Sequence, residues 1–336
     1  MPTADERFAT ELASRARFPQ VTGAAAHYES FFLKACHPDG GLAVWIRYTV
    51  HKRPDEPPKG FVWFTLFDAA HGVLASKAEA TPPTAPPGTY IELGESVFAP
   101  GRAAGAARSS QLDASWELAF HGNASPVWHL PRWAYNAPLP KTKLLSPHPA
   151  VTFSGWVRAG ERILKLDDWP GTVGHNWGSE HARRTIWIHG TGFAGHEDAW
   201  LELAFARVKL GPMTTPWIAN GVLCLDGERH RLGGIPRLRS TKVAEAIEHT
   251  RFTVFGDGVE VTGRAGAPRP NFVGWIYAQP QGGERQTINS SIADLRLEVA
   301  RPEVAPVTLQ LAGGAGYELQ LEERYEPIPV QPFADG

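Results

Sequence analysis

Cysteine is almost missing from this chain of 336 residues, which holds only Cys36 and Cys224. Two thiols so far apart supply neither the disulfide framework of a small secreted scaffold nor a four-cysteine zinc site. An excess of one charge sign is missing too. Lys and Arg number 33 against 35 Asp and Glu, a net charge of −2. No basic field gathers phosphate backbone, so nucleic acid is not an expected partner. No run of about 18 apolar residues occurs, and no membrane-spanning helix is expected. Residues 1–19 lack the apolar core of a secretory signal, which makes a soluble cytoplasmic protein the expectation. Gly-x-Ser-x-Gly is absent, no glycine-rich loop opens a helix, and nothing repeats at 20–50 residues. His175, His181, His189 and His196 crowd together with Glu180 and Asp198, yet no spacing matches a metal-ligand motif. No metal and no other cofactor is expected.

Aromatic residues and chain breakers are plentiful, with Trp 12, Pro 29 and Gly 34. They point to many short strands joined by turns. Residues 42–51 (LAVWIRYTVH) alternate with period two, and 61–67 (FVWFTLF) are apolar on both faces, as in a strand buried from both sides. Further strands are expected at 73–80, 89–93, 110–120 and 151–158, the last with Gly155 as a bulge. The proline-laden stretch 126–149 reads as a long irregular loop, and Asp167-Asp168-Trp169-Pro170 as an exposed turn. A second strand series starts near residue 185, punctuated by Asp226-Gly227 and Asp257-Gly258 hairpin turns. Within it Gly313 to Gly316 read as a turn. Only 4–17 and 241–249 look helical, and both are short. Length predicts two domains, and the series divide them at 1–185 and 186–336. The expected fold is all-β, two consecutive antiparallel β units closing into barrels that hide their edges.

Three segments carry a resemblance. Residues 27–50 (HYESFFLKACHPDGGLAVWIRYTV) resemble the opening of the two-domain lipocalin-like group that includes carotenoid 1,2-hydratase (hydroxyneurosporene synthase), kievitone hydratase, AttH-like proteins and, distantly, tocopherol cyclase. Residues 171–182 (GTVGHNWGSEHA) look like the His-Asn-Trp-Gly element ending their first domain, and NSSIA at 289–293 with GYELQLEERY at 316–325 is similar to their last strands. The resemblance implies two packed lipocalin-like (calycin-like) barrels with few short helices. It also implies a cofactor-independent hydratase, lyase, cyclase or isomerase for a hydrophobic isoprenoid or polyketide-like molecule. The hydratases carry a further His-Asp where this chain has Val173-Gly174, which puts hydration itself in question.

The densest chemistry lies at 174–181. His175 can give and take a proton, Asn176 offers an amide, Trp177 a face that stabilises cations, and Glu180-His181 a second carboxylate–imidazole pair. Flanking glycines would let these side chains bend into a barrel mouth. His175, Glu180 and His181 are therefore the catalytic candidates. The bland alternative makes Trp177 core and His175 a partner of a neighbouring strand. Glu29 sits among aromatics, either as an acid with a raised pKa or as an ion-pair partner of Arg47. Trp45 and Trp63 either line the cavity or pack between the barrels, and Trp275, Tyr277 and Asn289 are the corresponding candidates from the second unit. A carrier or sensor of a hydrophobic ligand is the rival class, and a homodimer is compatible with either. A converging acid and base would separate enzyme from carrier.

Overall fold

The computed structural model describes residues 15–210 and 213–333. The short helix expected over 4–17 falls almost wholly outside the described residues. Helical turns among them are four 3-10 segments of three or four residues.

A first sheet is built from β1 (His27–Cys36), β2 (Leu42–Lys52), β3 (Lys59–Asp68), β4 (Gly72–Glu79), β5 (Pro83–Thr84) and β6 (Ile91–Leu93). It continues with β7 (Ser96–Ala99), β8 (Arg102–Arg108), β9 (Asp113–His121), β10 (Val127–Trp128), β11 (Thr142–Ala159) and β12 (Arg162–Gly178). Its strands run in the order β4-β3-β2-β1-β12-β11-β9-β8-β7-β6-β5, with β10 added on β11. This sheet curls until β4 lies near β8, where Ser76 Oγ reaches Ala107 O at 3.0 Å. Across its interior Trp116 Nε1 donates to Tyr48 Oη at 2.8 Å.

The second sheet uses β13 (Arg184–Phe193), β14 (His196–Arg207), β17 (Ile218–Leu225), β18 (Glu228–Gly233) and β19 (Lys242–Glu245), with β15 (Lys209–Leu210) and β16 (Met213–Thr214) forming a separate ribbon. It is completed by β20 (His249–Gly256), β21 (Val259–Gly266), β22 (Val273–Ala278), β23 (Glu284–Arg301) and β24 (Val304–Gln320). Pairing of β18 with β20 at Leu232 and Gly256 closes eight of these strands into a barrel. The all-β, two-barrel expectation holds, with one barrel closed and the other a curled sheet.

Burial explains the sequence pattern. Period two sends Phe31, Leu33, Ile46, Tyr48 and Phe64 into the first core. The alternate residues Trp45, Phe61, Trp63 and Phe67 pack instead against Val273, Trp275 and Tyr277 of the second sheet. That second contact is why β1 and β3 are apolar on both faces.

Several local expectations are corrected. Residues 241–249 form β19 and the turn into β20, because Val243 packs on the second core and the segment pairs with 250–253. The loop expected at 126–149 contains β10, a 3-10 turn and the start of β11, whose Pro147 and Pro149 sit where register shifts spare them a ladder bond. Asp167 and Asp168 belong to β12. Asp168 takes φ 53° in the bulge opposite Ser154 and accepts a hydrogen bond from Ser154 Oγ at 3.0 Å. Gly313 to Gly316 lie inside β24 rather than in a turn. They form a seat for the first unit, with Gly41 N donating to Gly313 O and Lys34 Nζ to Gly314 O, both at 2.7 Å.

Gly174 does not bend its strand either. β12 stays paired with β1 from Gly171 through Gly178, and the missing side chain makes room for the Phe32 ring. Replacing Gly174 with Ala should cost about 1–3 kcal/mol, the usual range for overpacking. Urea unfolding of wild type and variant checks it.

Candidate functional site

The two faces of β1 carry two different polar clusters. Its odd residues face the interior of the first sheet and its even residues face the second sheet.

On the interior face the Glu29 carboxylate is completely buried. His175 Nε2 lies 2.7 Å from Oε1 and His27 Nε2 3.3 Å from Oε2. The backbone N–H groups of Arg17 and Phe18 donate to the same oxygens at 2.7–2.9 Å. Burial alone would raise this carboxyl, but hydrogen bonds and charge from His175 and His27 outweigh it and hold it down at about 2. The raised pKa expected for Glu29 is thereby corrected. So is the pair with Arg47, which sits opposite Phe32 in the register and so on the other face of β1. His175 is sandwiched by Phe31 at 4.0 Å and Trp177 at 4.5 Å between ring centroids. Trp177 in turn packs on Tyr135 and Leu145. His175 and Trp177 share this inner face because they are two residues apart on a regular strand, and half-buried Asn176 points the other way.

The outer face carries the cavity. It is lined by Tyr28, Ser30, Arg47, Trp63, His181 and Tyr277 among others, and its volume is about 20 Å³, room for one water. Arg47 is 5% exposed. Its guanidinium carbon stands 4.4 Å from the Tyr277 ring centroid, 5.0 Å from Trp63 and 5.2 Å from Trp45. Its Nε donates to Ser30 Oγ at 3.0 Å. The Trp63 indole is fixed by donating to Thr49 Oγ1 at 2.8 Å.

Behind Tyr277 lies Glu318, on β24 opposite Asn289. Tyr277 Oη donates to Glu318 Oε2 at 3.2 Å and Asn289 Nδ2 to the same oxygen at 3.1 Å. Burial raises the Glu318 carboxyl, and Arg47, Asn289 and Tyr277 offset this only in part. His181 stacks on Tyr28 with 3.8 Å between centroids and tilts over Tyr277 at 5.7 Å. Burial, reinforced by Arg47 and His51, lowers it to about 3. This region therefore holds a carboxyl biased toward its protonated form and, at neutral pH, a neutral imidazole.

Of the residues singled out in the sequence, Trp45, Arg47, Trp63, His181, Tyr277 and Asn289 gather at the face between the sheets, with Trp275 tilted against Trp63 at 4.8 Å. His175, Trp177 and the Glu29 carboxylate lie on the far side of β1. Glu180 is at the surface, paired with Lys141 at 2.6 Å. His189 is elsewhere in the interface, with Nε2 2.9 Å from Pro149 O and burial lowering it to about 4. Glu318 was missed. Its signal was Tyr-Glu-Leu-Gln-Leu, where a polar residue on the outward face of a strand ordinarily means solvent.

Glu29 gives a direct test. A carboxyl held below its ordinary value of 4.5 contributes stability that is complete above that value and is lost as pH falls toward about 2. Glu29→Gln should cost about 3–5 kcal/mol at neutral pH, as for breaking a buried pair. The gap to wild type should narrow below pH 4.5 in urea unfolding series.

No family model matches the chain. An uncharacterized protein of Mycobacterium tuberculosis, recorded in two strains, is 25% identical over 286 residues, covering 84% of each chain. Among solved structures, one assigned as AttH from Nitrosomonas europaea superposes with a TM-score of 0.53 at 13% identity, over 92% of this chain and 97% of its own. Kievitone hydratase from Nectria haematococca gives 0.51 at 8% identity, over 90% and 92%. The chain shares the fold of these two structures, the architecture to which its sequence resemblance points.

Proposed function

We propose that this protein is an enzyme that performs hydration, dehydration or cyclisation on a hydrophobic small molecule at the face between its two sheets. It would use acid/base groups of its own and no cofactor. One observation carries the reading. His181 lines an aromatic-walled cavity and Glu318 stands behind its Tyr277 wall, joined to it by a hydrogen bond, and the two are shifted in opposite directions, a raised acid and a lowered base.

In this reading Glu318 is the general acid. Tyr277 and Asn289 both donate to Oε2, which leaves Oε1 to carry the proton. His181, neutral and steadied by the Tyr28 ring, is the base that activates water or removes a proton. Trp45, Trp63 and Tyr277 wall the reacting region. A guest larger than water enters as these rings part, so opening is a step of the cycle. The fixed charge of Arg47 disfavours a carbocation here and favours a route in which charge develops on oxygen. Among the substrate classes suggested by the sequence, that favours a polyketide-like, oxygenated molecule over a bare isoprenoid alkene.

The test is deuterium incorporation from heavy water into a panel of unsaturated polyketide-like and terpenoid compounds, followed by mass spectrometry. Glu318→Gln should lower the rate by about 10²–10⁴-fold, the usual worth of a general acid. The wild-type rate should fall as pH rises through the Glu318 value, because only its protonated form acts. Compounds that bind wild type but come back without deuterium and unaltered would replace the enzyme by a carrier.

A further inference from the structure

Arg47 is a buried cation that forms no ion pair among the described residues. It is 5% exposed, and among the described residues no carboxylate lies within 4 Å of it. Its Nε is used by Ser30, while Nη1 is buried and has no hydrogen-bond partner. Gln279 from the second unit adds a second idle donor. Its Oε1 accepts the backbone N–H of His181 at 2.9 Å, and its Nε2 is buried and unpartnered. On the other side of Trp63, Lys77 Nζ stands 4.1 Å from the ring centroid. Glu318, the carboxyl on which the Arg47 charge acts, is biased toward its neutral form and is engaged by Tyr277 and Asn289. A guanidinium keeps its charge wherever it is placed, and an uncompensated one away from water demands an anion.

We infer that the ligand of this site carries an anionic oxygen, a carboxylate or an enolate, on a flat unsaturated skeleton, and that Arg47 is the residue that selects it. The anionic oxygen would take Nη1, and the skeleton would lie along the rings of Trp45, Trp63 and Tyr277. This rests on the acid/base reading for the location of the site, but binding alone decides it. Arg47 acts on specificity whether or not the bound molecule is turned over.

The probes are sorbate and sorbyl alcohol, slender conjugated chains that differ in the carboxylate. Titration calorimetry and tryptophan fluorescence with wild type should show sorbate bound at least about tenfold more tightly than the alcohol. Arg47→Gln should bring the two to equal affinity. Arg47→Lys keeps the charge and should retain part of the preference, which also covers the case in which the glutamine variant does not fold. Glu318→Gln should retain the full preference while losing the deuterium exchange, so a failed reaction and a failed selection are told apart. Equal affinities in wild type, no saturable binding of sorbate, or a preference that survives in Arg47→Gln would each overturn the inference.

Discussion

A guanidinium shut between two β units, ringed by Trp45, Trp63 and Tyr277, is the feature on which the remaining architecture turns. Removing Arg47 from water is costly, and cation–π contact recovers about 2 kcal/mol or a little more at a desolvated site. The rest must come from what the interface keeps polar. Ser30 holds the guanidinium from the first sheet. Asn289 and Glu318 stand behind the cage in the second sheet, and Tyr277 belongs to both layers. Around them Thr65, Trp275 and Thr287 also bury polar atoms without partners. An interface built only to hold two barrels together would pair or omit such groups. One built to receive a polar guest would leave them waiting.

The interior of the first sheet follows the opposite logic. Glu29 is saturated by His175, His27 and two backbone N–H groups, with both carboxylate oxygens engaged. It fastens the chain at Arg17 and Phe18 over the end of the sheet, and the Phe18 ring is buried in the core beneath. A carboxylate held low and fully bonded is a poor proton donor at neutral pH. Two carboxyls on the two sides of β1 are thus biased in opposite directions, Glu29 held low as a clasp and Glu318 raised. Environment sets the direction, since the two side chains are identical.

Much of the fold was legible because its alternation is strong. The doubly apolar run at 61–67 announces a strand covered on both sides, and the second sheet supplies the second cover. Long strands broken by bulges were less legible. β12 contains Asp168 at φ 53° and Pro170, and β24 contains Gly313 at φ 59°, so local turn chemistry hides a continuous ladder. For the site, residue types were readable and faces were not. Arg47 and Glu29 are both polar residues in aromatic strands, and the sequence does not tell which face of β1 each adjoins until the register is known. Glu318 was hidden for a related reason. Its outward face is covered by β1 and β2 from the other end of the chain, a burial no local pattern encodes.

The central claim is that the ligand binds between the sheets and not inside the first one. A crystal structure of the protein with sorbate, or with whatever hydrophobic molecule it carries through purification, addresses this directly. The account predicts density against Arg47 Nη1 and the Trp63 and Tyr277 rings, with the interior around His175 unchanged. Density packed against His175 and Trp177, with the Arg47 cage closed and empty, would contradict it.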